Sequence, residues 1–273
     1  MIRRCRALLG TFVEVAVPAG REAALAAAFA RIAHIQARMS FHEESSDLAA
    51  LRRAEHGTEV VVDPATTAVL ALAARLHTRS SGLFDVTIGA RLVATGFLPR
   101  PPGVDLRRRT GTAADIQILD DGRIRCRRPL LIDLGGIAKG YAVDCAVETL
   151  LAAGIDRALV NAGGDLRVIG SDTVHLRGAN GSIDAVMTLT DSALASSSNR
   201  HLRRRHRGRV SVPHLGAGRV ALLTDAAVSV VAPQCAVADA MTKIAMAAPA
   251  LAAQMLDELG GALIARTARK SVA

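Results

Sequence analysis

One stretch of the sequence combines a carboxylate, two glycines and a lysine in an order that suits a phosphate-bearing ligand. It runs from Asp133 through Gly135 and Gly136 to Lys139. A predicted strand delivers the carboxylate, the glycines let the backbone approach a ligand, and the following helix offers exposed amides and a positive dipole. The spacing matches neither the G-x-G-x-x-G fingerprint nor the Walker A loop. On chemistry alone, a plain strand-to-helix turn is an equally good interpretation.

Two further segments bracketed by glycines each present one carboxylate. Residues 81–89 carry Leu83, Phe84 and Asp85, and residues 161–165 end in an aspartate. Taken singly, each segment is more typical of a hairpin turn than of a binding site.

A predicted helix over residues 235–247 places Asp239, Thr242 and Lys243 on one face, because residues three and four apart are neighbours on a helix. A carboxylate and a hydroxyl on one face suit a hard cation such as Mg²⁺, which takes oxygen ligands. The alternative is a surface aspartate that pairs with Lys243, and the helix pattern by itself favours this alternative.

The elements that must position these residues alternate irregularly along the chain. Several predicted strands are neighbours in hairpins, which favours a mixed α+β fold over a doubly wound sheet. The basic stretch 199–209 is predicted to be a loop. Helices are predicted at 21–39, 46–53, 63–81, 136–153, 235–247 and 249–259, and strands at 12–17, 60–62, 129–134, 158–160, 166–169, 174–176, 183–189 and 228–231.

Composition limits the classes of function. The chain has 273 residues, half of them apolar, which is enough for a large globular core. The net charge is +9, and six arginines lie between residues 200 and 209. Such a patch attracts phosphates of any kind. A nucleic-acid partner is only a remote alternative, because five Phe, one Tyr and no Trp leave few rings for base stacking, and no nucleic-acid-binding motif is present.

The sequence predicts neither a membrane span nor a signal peptide. No apolar segment approaches the roughly 20 residues that cross a bilayer. The apolar run near the N-terminus is interrupted by Thr11 and Glu14 and alternates as a strand does. We therefore expect a cytoplasmic protein.

Taken in order, these segments resemble the ApbE family, the FAD:protein FMN transferases. Residues 82–89 are similar to its Gly-x-Phe-Asp-Pro-Thr-Val-Gly motif. Residues 133–141 match its Asp-Leu-Gly-Gly-Ile-Ala-Lys-Gly-Tyr signature, and residues 161–165 match its Asn-Ala-Gly-Gly-Asp. Shorter similarities lie at residues 9–11, 39–51 and 230–239, so the resemblance runs from residue 9 to about residue 247.

The resemblance implies one α+β domain over residues 1–273, made of two intimate lobes of mixed or antiparallel sheets with packed helices, and FAD held between the lobes. It implies a Mg²⁺ ion held by the Gly136 carbonyl, by Asp239 and by a hydroxyl on the same helix, here Thr242. Asp239 and Lys243 are the expected catalytic residues. The residues expected to line the FAD site are Leu9, His42, Leu83, Phe84, Asp85, Asp133 and Lys139.

The implied reaction is a magnesium-dependent transfer of FMN. A Thr or Ser hydroxyl of a client protein attacks the FMN-side phosphorus of FAD, and AMP leaves. Mg²⁺ would neutralise the pyrophosphate and the charge that develops on the leaving group. FAD and the client are thus the expected partners. Many family members act outside the cytoplasm, which makes an extracytoplasmic location the alternative.

The sequence departs from the family pattern at three places. The family has Thr four residues after the metal-binding Asp, where this chain has Lys243. Either Thr242 takes over after a small helical adjustment, or Lys243 supplies positive charge in place of part of the metal site. The family's Thr-Ser-Gly is replaced by residues 196–198, three serines. Its His-x-x-Asp-Pro-x-Thr-Gly segment aligns with residues 209–216, where Arg209 and Val212 replace the His and the Asp. The second hypothesis is therefore an FAD-binding protein with weak or no transferase activity, or one that hydrolyses FAD to FMN and AMP.

Overall fold

The computed structural model describes residues 1–177, 183–200 and 202–267. The chain divides into two compact units, and each unit is assembled from segments that are distant in sequence. Unit 1 consists of Met1–Gln36, Ile137–His201 and Thr224–Ala273, and unit 2 consists of Ala37–Gly136 and Leu202–Leu223.

Seven α-helices and fourteen strands occur among the described residues. The helices are α1 (Glu22–Met39), α2 (Asp47–Arg53), α3 (Pro64–Arg79), α4 (Gly89–Ala94), α5 (Ala138–Ala152), α6 (Cys235–Ala247) and α7 (Pro249–Glu258). The strands are β1 (Ile2–Leu8), β2 (Thr11–Val17), β3 (Glu59–Val60), β4 (Ile116–Ile118), β5 (Ile124–Cys126), β6 (Ala158–Ala162), β7 (Asp165–Ile169), β8 (Ser171–Arg177), β9 (Ile183–Thr190), β10 (Ala193–Ser198), β11 (Arg204–His206), β12 (Arg209–Ser211), β13 (Ala227–Ala232) and β14 (Ala262–Thr267).

Unit 1 is built on a seven-stranded sheet in the order β1-β2-β6-β7-β10-β13-β14, and its neighbouring strands are antiparallel. Helices α5 and α6 pack against the sheet and against each other. Val13 and Val15 alternate with less buried residues along β2, so one face of that strand is in the core. A cluster that includes Leu159, Val168 and Leu194 fills the space next to the hairpin β8-β9.

Unit 2 contains the small sheet β3-β5-β4, the hairpin β11-β12 and helices α2 to α4. Its helices begin where side chains cap free amides. Ser46 accepts a hydrogen bond from the Ala49 N–H, and Asp63 accepts one from the Ala65 N–H. The apolar cluster of this unit consists of Phe41, Val93, Val104 and Leu131.

The α+β prediction is confirmed, because antiparallel sheets and packed helices coexist without a doubly wound parallel sheet among the described residues. Each predicted helix has an observed counterpart that ends within about two residues of the predicted bounds, and α6 has the bounds that the sequence predicted. In the described part of the chain, no helix has both the length and the apolar character that a bilayer crossing requires.

The predicted strand at residues 129–134 is wrong. Leu131 and Ile132 are buried, as expected, but the segment makes only scattered backbone hydrogen bonds. The Leu131 carbonyl accepts from the Gly89 N–H at 3.0 Å, and the Asp133 N–H donates to the Val86 carbonyl at 2.8 Å. A buried apolar run is therefore held against a neighbouring loop and not in a ladder.

The predicted loop at 199–209 is wrong at residues 204–206 and 209, and residue 201 lies outside the described residues. Strands β11 and β12 form an antiparallel hairpin with Arg207 and Gly208 at its turn, where both residues have positive φ (49° and 77°). The sequence did not predict these two strands, because their arginine-rich segments lack the alternation of apolar and polar residues that is typical of a strand. The N-terminal segment, predicted as one strand, is a hairpin of β1 and β2, and strands β10 and β14 were not predicted.

Candidate functional site

Four charged side chains meet in unit 1, and we refer to Lys139, Asp165, Asp239 and Lys243 as the charged cluster. The Lys139 ammonium contacts the Asp165 carboxylate and lies 3.7 Å from Asp239 Oδ2. The Lys243 ammonium contacts Asp239 Oδ1 from one helical turn away. The cluster therefore holds two carboxylates and two ammonium groups, whose formal charges cancel.

Helices α5 and α6 bring the cluster together through one close approach. A Cβ atom on Gly140 would lie 2.4 Å from the Cys235 carbonyl oxygen, so only glycine allows this packing. One turn along α5, the Asp144 carboxylate accepts hydrogen bonds from the N–H groups of Cys235 and Ala236, each at 2.8 Å. Asp144 thus caps the start of α6, where the amides have no partner within the helix.

Burial and neighbouring charges together set the pKa values of the charged cluster. Asp239 is fully buried and Asp165 nearly so. Burial by itself raises the pKa of the Asp239 carboxyl, but the charges of Lys139 and Lys243 outweigh it and hold the pKa below its usual value. Burial tends to lower the pKa of Lys139, but the carboxylates of Asp239 and Asp165 raise it above its usual value. Burial, together with the charge of Asp239, raises the pKa of Asp165.

Two hydroxyl groups complete the surroundings of Lys243. Its Nζ lies 3.0 Å from Ser197 Oγ and 3.1 Å from Thr242 Oγ1, and these two hydroxyls are 2.8 Å apart. The Thr242 hydroxyl also donates to the Asp239 backbone carbonyl at 2.7 Å. The alternative that Asp239 pairs with Lys243 is confirmed as a contact, but Asp239 is buried and not at the surface.

In unit 2, the Asp85 carboxylate accepts three hydrogen bonds from two residues. It accepts from the N–H and the hydroxyl of Thr87 at 2.8 Å and 2.7 Å, and from Arg219 Nη2 at 2.7 Å. Arg219 Nη2 also lies 2.7 Å from the Gly111 carbonyl. His77 Nδ1 is 3.9 Å from the Asp85 carboxylate and 3.1 Å from the carbonyl oxygen of Phe84. This arrangement fixes the backbone that carries the predicted FAD contacts.

Asp133 lies next to this segment of unit 2, because its N–H donates to the Val86 carbonyl. Burial raises the pKa of Asp133 to about 6, while a hydrogen bond from the Gly135 N–H and the charge of His42 partly oppose the rise. His42 itself is exposed, on a loop whose N–H groups bond to Ser40 Oγ. A carboxyl with this pKa changes its charge between acidic and neutral pH.

The remaining predicted residues are placed within their own units. Leu9 forms the turn of the β1-β2 hairpin in unit 1 with a φ of 55°, and its N–H donates to the Gln36 side chain. Leu83 is half-buried and Phe84 is buried in unit 2. Gly136 is the last residue of unit 2 before the chain enters α5.

Three residues that the structure brings to the charged cluster or to Asp85 were not predicted as site residues from the sequence. Asp165 was noted only as the last residue of a turn motif. It directly follows two glycines, and Asp133 likewise lies close to a pair of glycines in the sequence. Ser197 was noted only as one of the three serines that replace the family's Thr-Ser-Gly. Arg219 carried no signal, since an isolated arginine is common on surfaces. Where the family segment has His and Asp, Arg209 is exposed on β12 and Val212 is fully buried.

Comparison with known proteins identifies relatives along most of the chain. A sequence model of the ApbE family matches residues 9–264. A FAD:protein FMN transferase of Rhodobacter capsulatus is 36% identical over 124 residues, which cover 42% of this chain and 24% of that protein. A FAD:protein FMN transferase of Treponema pallidum is 29% identical over 201 residues, which cover 64% of this chain and 54% of that protein. The matches thus span about a quarter and about half of these two relatives.

The fold is shared with a solved structure. The ApbE protein of Thermotoga maritima superimposes with a TM-score of 0.82 at 22% sequence identity, covering 99% of this chain and 97% of that one. At this identity the likeness establishes the fold. The function is argued from the residues of the two units.

Proposed function

The chain belongs to the ApbE family, and from this we propose that it transfers the FMN half of FAD to a Thr or Ser hydroxyl of a client protein. Two curated relatives carry the name of this activity. The observation that carries the proposal is the charged cluster, in which two ammonium groups are held by buried carboxylates. The cluster as a whole is formally neutral, but ammonium groups fixed in this way can donate hydrogen bonds to the pyrophosphate of FAD.

The reaction needs positive charge near phosphorus and a way to orient the acceptor. The client hydroxyl oxygen forms a bond to the FMN-side phosphorus while the bond from that phosphorus to the bridging oxygen breaks. AMP leaves with the bridging oxygen, and the hydroxyl proton passes to a base or to water. Enzymes catalyse such transfers mainly by positioning and by electrostatic stabilisation.

In this proposal five of the predicted residues have a role that their environment supports. Lys139 and Lys243 stabilise the pyrophosphate charge, and Asp239 holds both ammonium groups in place. In unit 2, the carboxyl groups of Asp85 and Asp133 are candidates for hydrogen bonds to the ligand. Asp85 is held by Arg219, and the pKa of Asp133 is raised. Leu9, His42, Leu83 and Phe84 remain predicted FAD contacts.

The residues present do not fit the predicted Mg²⁺ ion. One oxygen of the Asp239 carboxylate contacts the Lys243 ammonium, and the other faces Lys139 and the Gly140 N–H. The Thr242 hydroxyl is bonded to Lys243 as well. Among the described residues, no group of three or more His, Cys, Asp or Glu side chains is arranged to hold a metal ion. Magnesium therefore has no step in the proposed reaction.

The direct test is an AMP-release assay. The purified chain is incubated with FAD and a candidate client protein, with and without MgCl₂, while AMP is quantified and covalent flavin is followed by in-gel fluorescence. We expect AMP and covalent FMN in equal amounts, and loss of both with Asp239→Ala. Absence of both products from the unmodified chain, under conditions in which a relative is active, would overturn the proposal.

A second candidate function is FAD binding with little transfer, or FAD hydrolysis to FMN and AMP with water as the nucleophile. It is supported by Arg209 and Val212, since an exposed arginine and a fully buried valine offer no carboxylate or imidazole there. FAD binding without AMP release selects a binding protein. AMP release without covalent flavin selects hydrolysis.

The client is proposed to be a protein in the same compartment as this chain. The sequence predicts the cytoplasm, and the resemblance offers a location outside it as the alternative. Fractionation of producing cells, with covalent flavin fluorescence read in each fraction, distinguishes the two.

A further inference from the structure

We infer that the ammonium group of Lys243 fills the position beside Asp239 that a divalent cation would take, so that the cation of this site is part of the chain. The inference deepens the proposed function and, for its catalytic consequence, rests on it. It concerns Lys243 as the charge that replaces a metal ion next to a bound pyrophosphate.

The first support is the set of atoms around the Lys243 ammonium. Nζ contacts Asp239 Oδ1, Ser197 Oγ at 3.0 Å and Thr242 Oγ1 at 3.1 Å. An ammonium group has three N–H donors, so three oxygens satisfy all of them. Carboxylate and hydroxyl oxygens are also the ligands that a hard cation takes. An ion could bind the Asp239 and Thr242 oxygens only by displacing the ammonium from both.

The second support is the charge balance of the charged cluster. Two carboxylates face two ammonium groups, and Asp239 has no exposed surface. A divalent ion added here would leave two positive charges uncompensated in a site where water screens them poorly. With Lys139 and Lys243 in place, the cluster is neutral without an ion.

The third support is the position of Lys243 relative to solvent. Its side chain is 19% exposed, whereas the Asp239 side chain is fully buried. A lysine has a flexible four-carbon stem. The ammonium can therefore remain bonded to Asp239 and exchange one of its two hydroxyl partners for an anionic ligand at the surface of the cluster.

The closing experiment measures Mn²⁺ binding by electron paramagnetic resonance, using the full chain. The unmodified chain is compared with Lys243→Thr, which removes the ammonium and adds an oxygen donor, and with Lys243→Thr combined with Asp239→Asn. We expect Lys243→Thr to bind one Mn²⁺ at least 10-fold more tightly than the unmodified chain, and the double variant to lose this gain. Thermal melting checks that the variants fold.

Two outcomes overturn the inference. One is tight Mn²⁺ binding by both the unmodified chain and Lys243→Thr, which would show that the ammonium does not exclude the ion. The other is weak Mn²⁺ binding by both chains, with Lys243→Thr folded, which would show that the position beside Asp239 does not take a divalent cation. If Lys243→Thr does not fold, the inference is tested with the unmodified chain alone. Its affinity for FAD is then measured once in EDTA and once in MgCl₂. Affinities equal within 2-fold support the inference, and a 10-fold loss in EDTA contradicts it.

An activity arm separates failure of this inference from failure of the proposed function. We expect AMP release by the unmodified chain to change less than 2-fold when EDTA replaces MgCl₂, and Lys243→Thr to become sensitive to EDTA. EDTA-sensitive AMP release by the unmodified chain contradicts the inference and leaves the transferase proposal intact. If the chain releases no AMP under any condition, the transferase proposal fails, and the Mn²⁺ titration alone decides the role of Lys243.

Discussion

The two units hold their functional carboxylates in different ways. In unit 1, Asp165 and Asp239 lie on β7 and α6, are almost entirely buried, and are matched by two ammonium groups. In unit 2, Asp85 and Asp133 lie on loops. Asp85 pairs with one guanidinium, that of Arg219, and accepts hydrogen bonds from Thr87, and Asp133 accepts one from a backbone amide. Regular elements can thus support a dense cluster of charges, whereas loops need side-chain anchors from distant segments.

This difference predicts different sensitivities. In unit 1, removing one charge leaves others buried and unpaired, which costs several kcal/mol because desolvation is no longer offset. In unit 2, a change in one partner alters local order and titration, with smaller effects on the free energy of unfolding. Four predictions, ordered by expected size, test this comparison.

The largest effect is expected for Asp239→Asn. The substitution keeps the size of the side chain but leaves two ammonium groups facing one carboxylate, so the free energy of unfolding should fall by about 3–5 kcal/mol. AMP release, if the proposed function holds, should fall at least 100-fold. Urea unfolding and the AMP assay measure the two effects.

The matched control for this prediction is Glu148→Gln. Its carboxylate also pairs with a cation, Arg167, but the side chain is 61% exposed. We expect a change of less than about 0.5 kcal/mol, as for most exposed ion pairs. Equal losses from Asp239→Asn and the control would show that burial of the charged cluster does not set its energetics.

The next largest effect is expected for Gly140→Ala. The added methyl group meets the Cys235 carbonyl at 2.4 Å, so α5 and α6 must move apart at a cost of about 2–3 kcal/mol. Leu151→Ala, at an exposed position of the same helix, should change stability by less than about 0.5 kcal/mol. Thermal or urea unfolding of both variants checks the prediction. A Gly140→Ala protein as stable as the unmodified chain would disprove the close approach.

A smaller effect is expected for Arg219→Met in unit 2. The substitution leaves Asp85 with fewer donors, and we expect a loss of about 1–2 kcal/mol in the free energy of unfolding. FAD affinity should fall by up to about 10-fold, because a loss of 1.4 kcal/mol from the binding free energy corresponds to a factor of ten. A double-mutant cycle with Asp85→Asn should show a coupling energy of about 1 kcal/mol. Independent, additive effects would contradict a direct partnership.

An effect of similar size is expected from the pH dependence due to Asp133. Its pKa of about 6 in the folded chain exceeds the ordinary value of about 4, so the folded state holds the proton more tightly. The resulting stabilisation is complete below about pH 4 and is lost as the pH rises through about 6. Because the side chain is partly exposed, we expect roughly 1–2 kcal/mol.

Urea unfolding between pH 4 and pH 7 measures this dependence. Relative to Asp133→Asn, the unmodified chain should lose stability as the pH rises across this range. In His42→Gln, the pKa of Asp133 should be higher still, because a positive charge that opposes the rise is gone. An unchanged pH profile in Asp133→Asn would assign the dependence to other groups.

Local patterns predicted much of the secondary structure. Helix α6 was predicted with the observed bounds, and helices α2 and α3 begin within one residue of the predicted positions. Helix starts can be predicted because capping, here by Ser46 and Asp63, depends on neighbouring residues only. Strands β10 and β14 and the hairpin β11-β12 were missed. Serine-rich, alanine-rich and arginine-rich strands lack apolar alternation, and they form because neighbouring strands supply hydrogen-bond partners.

The sequence by itself determined the order of the glycine-rich motifs, the α+β class and the one-turn spacing of Asp239 and Lys243, since each depends on short-range geometry. Only the tertiary structure decided that Lys139, Asp165 and Ser197 join them in one buried group. The reason is physical. Whether a charged residue is solvated or desolvated depends on which distant elements pack around it, and that packing sets its partners, its pKa and the cations it can accept.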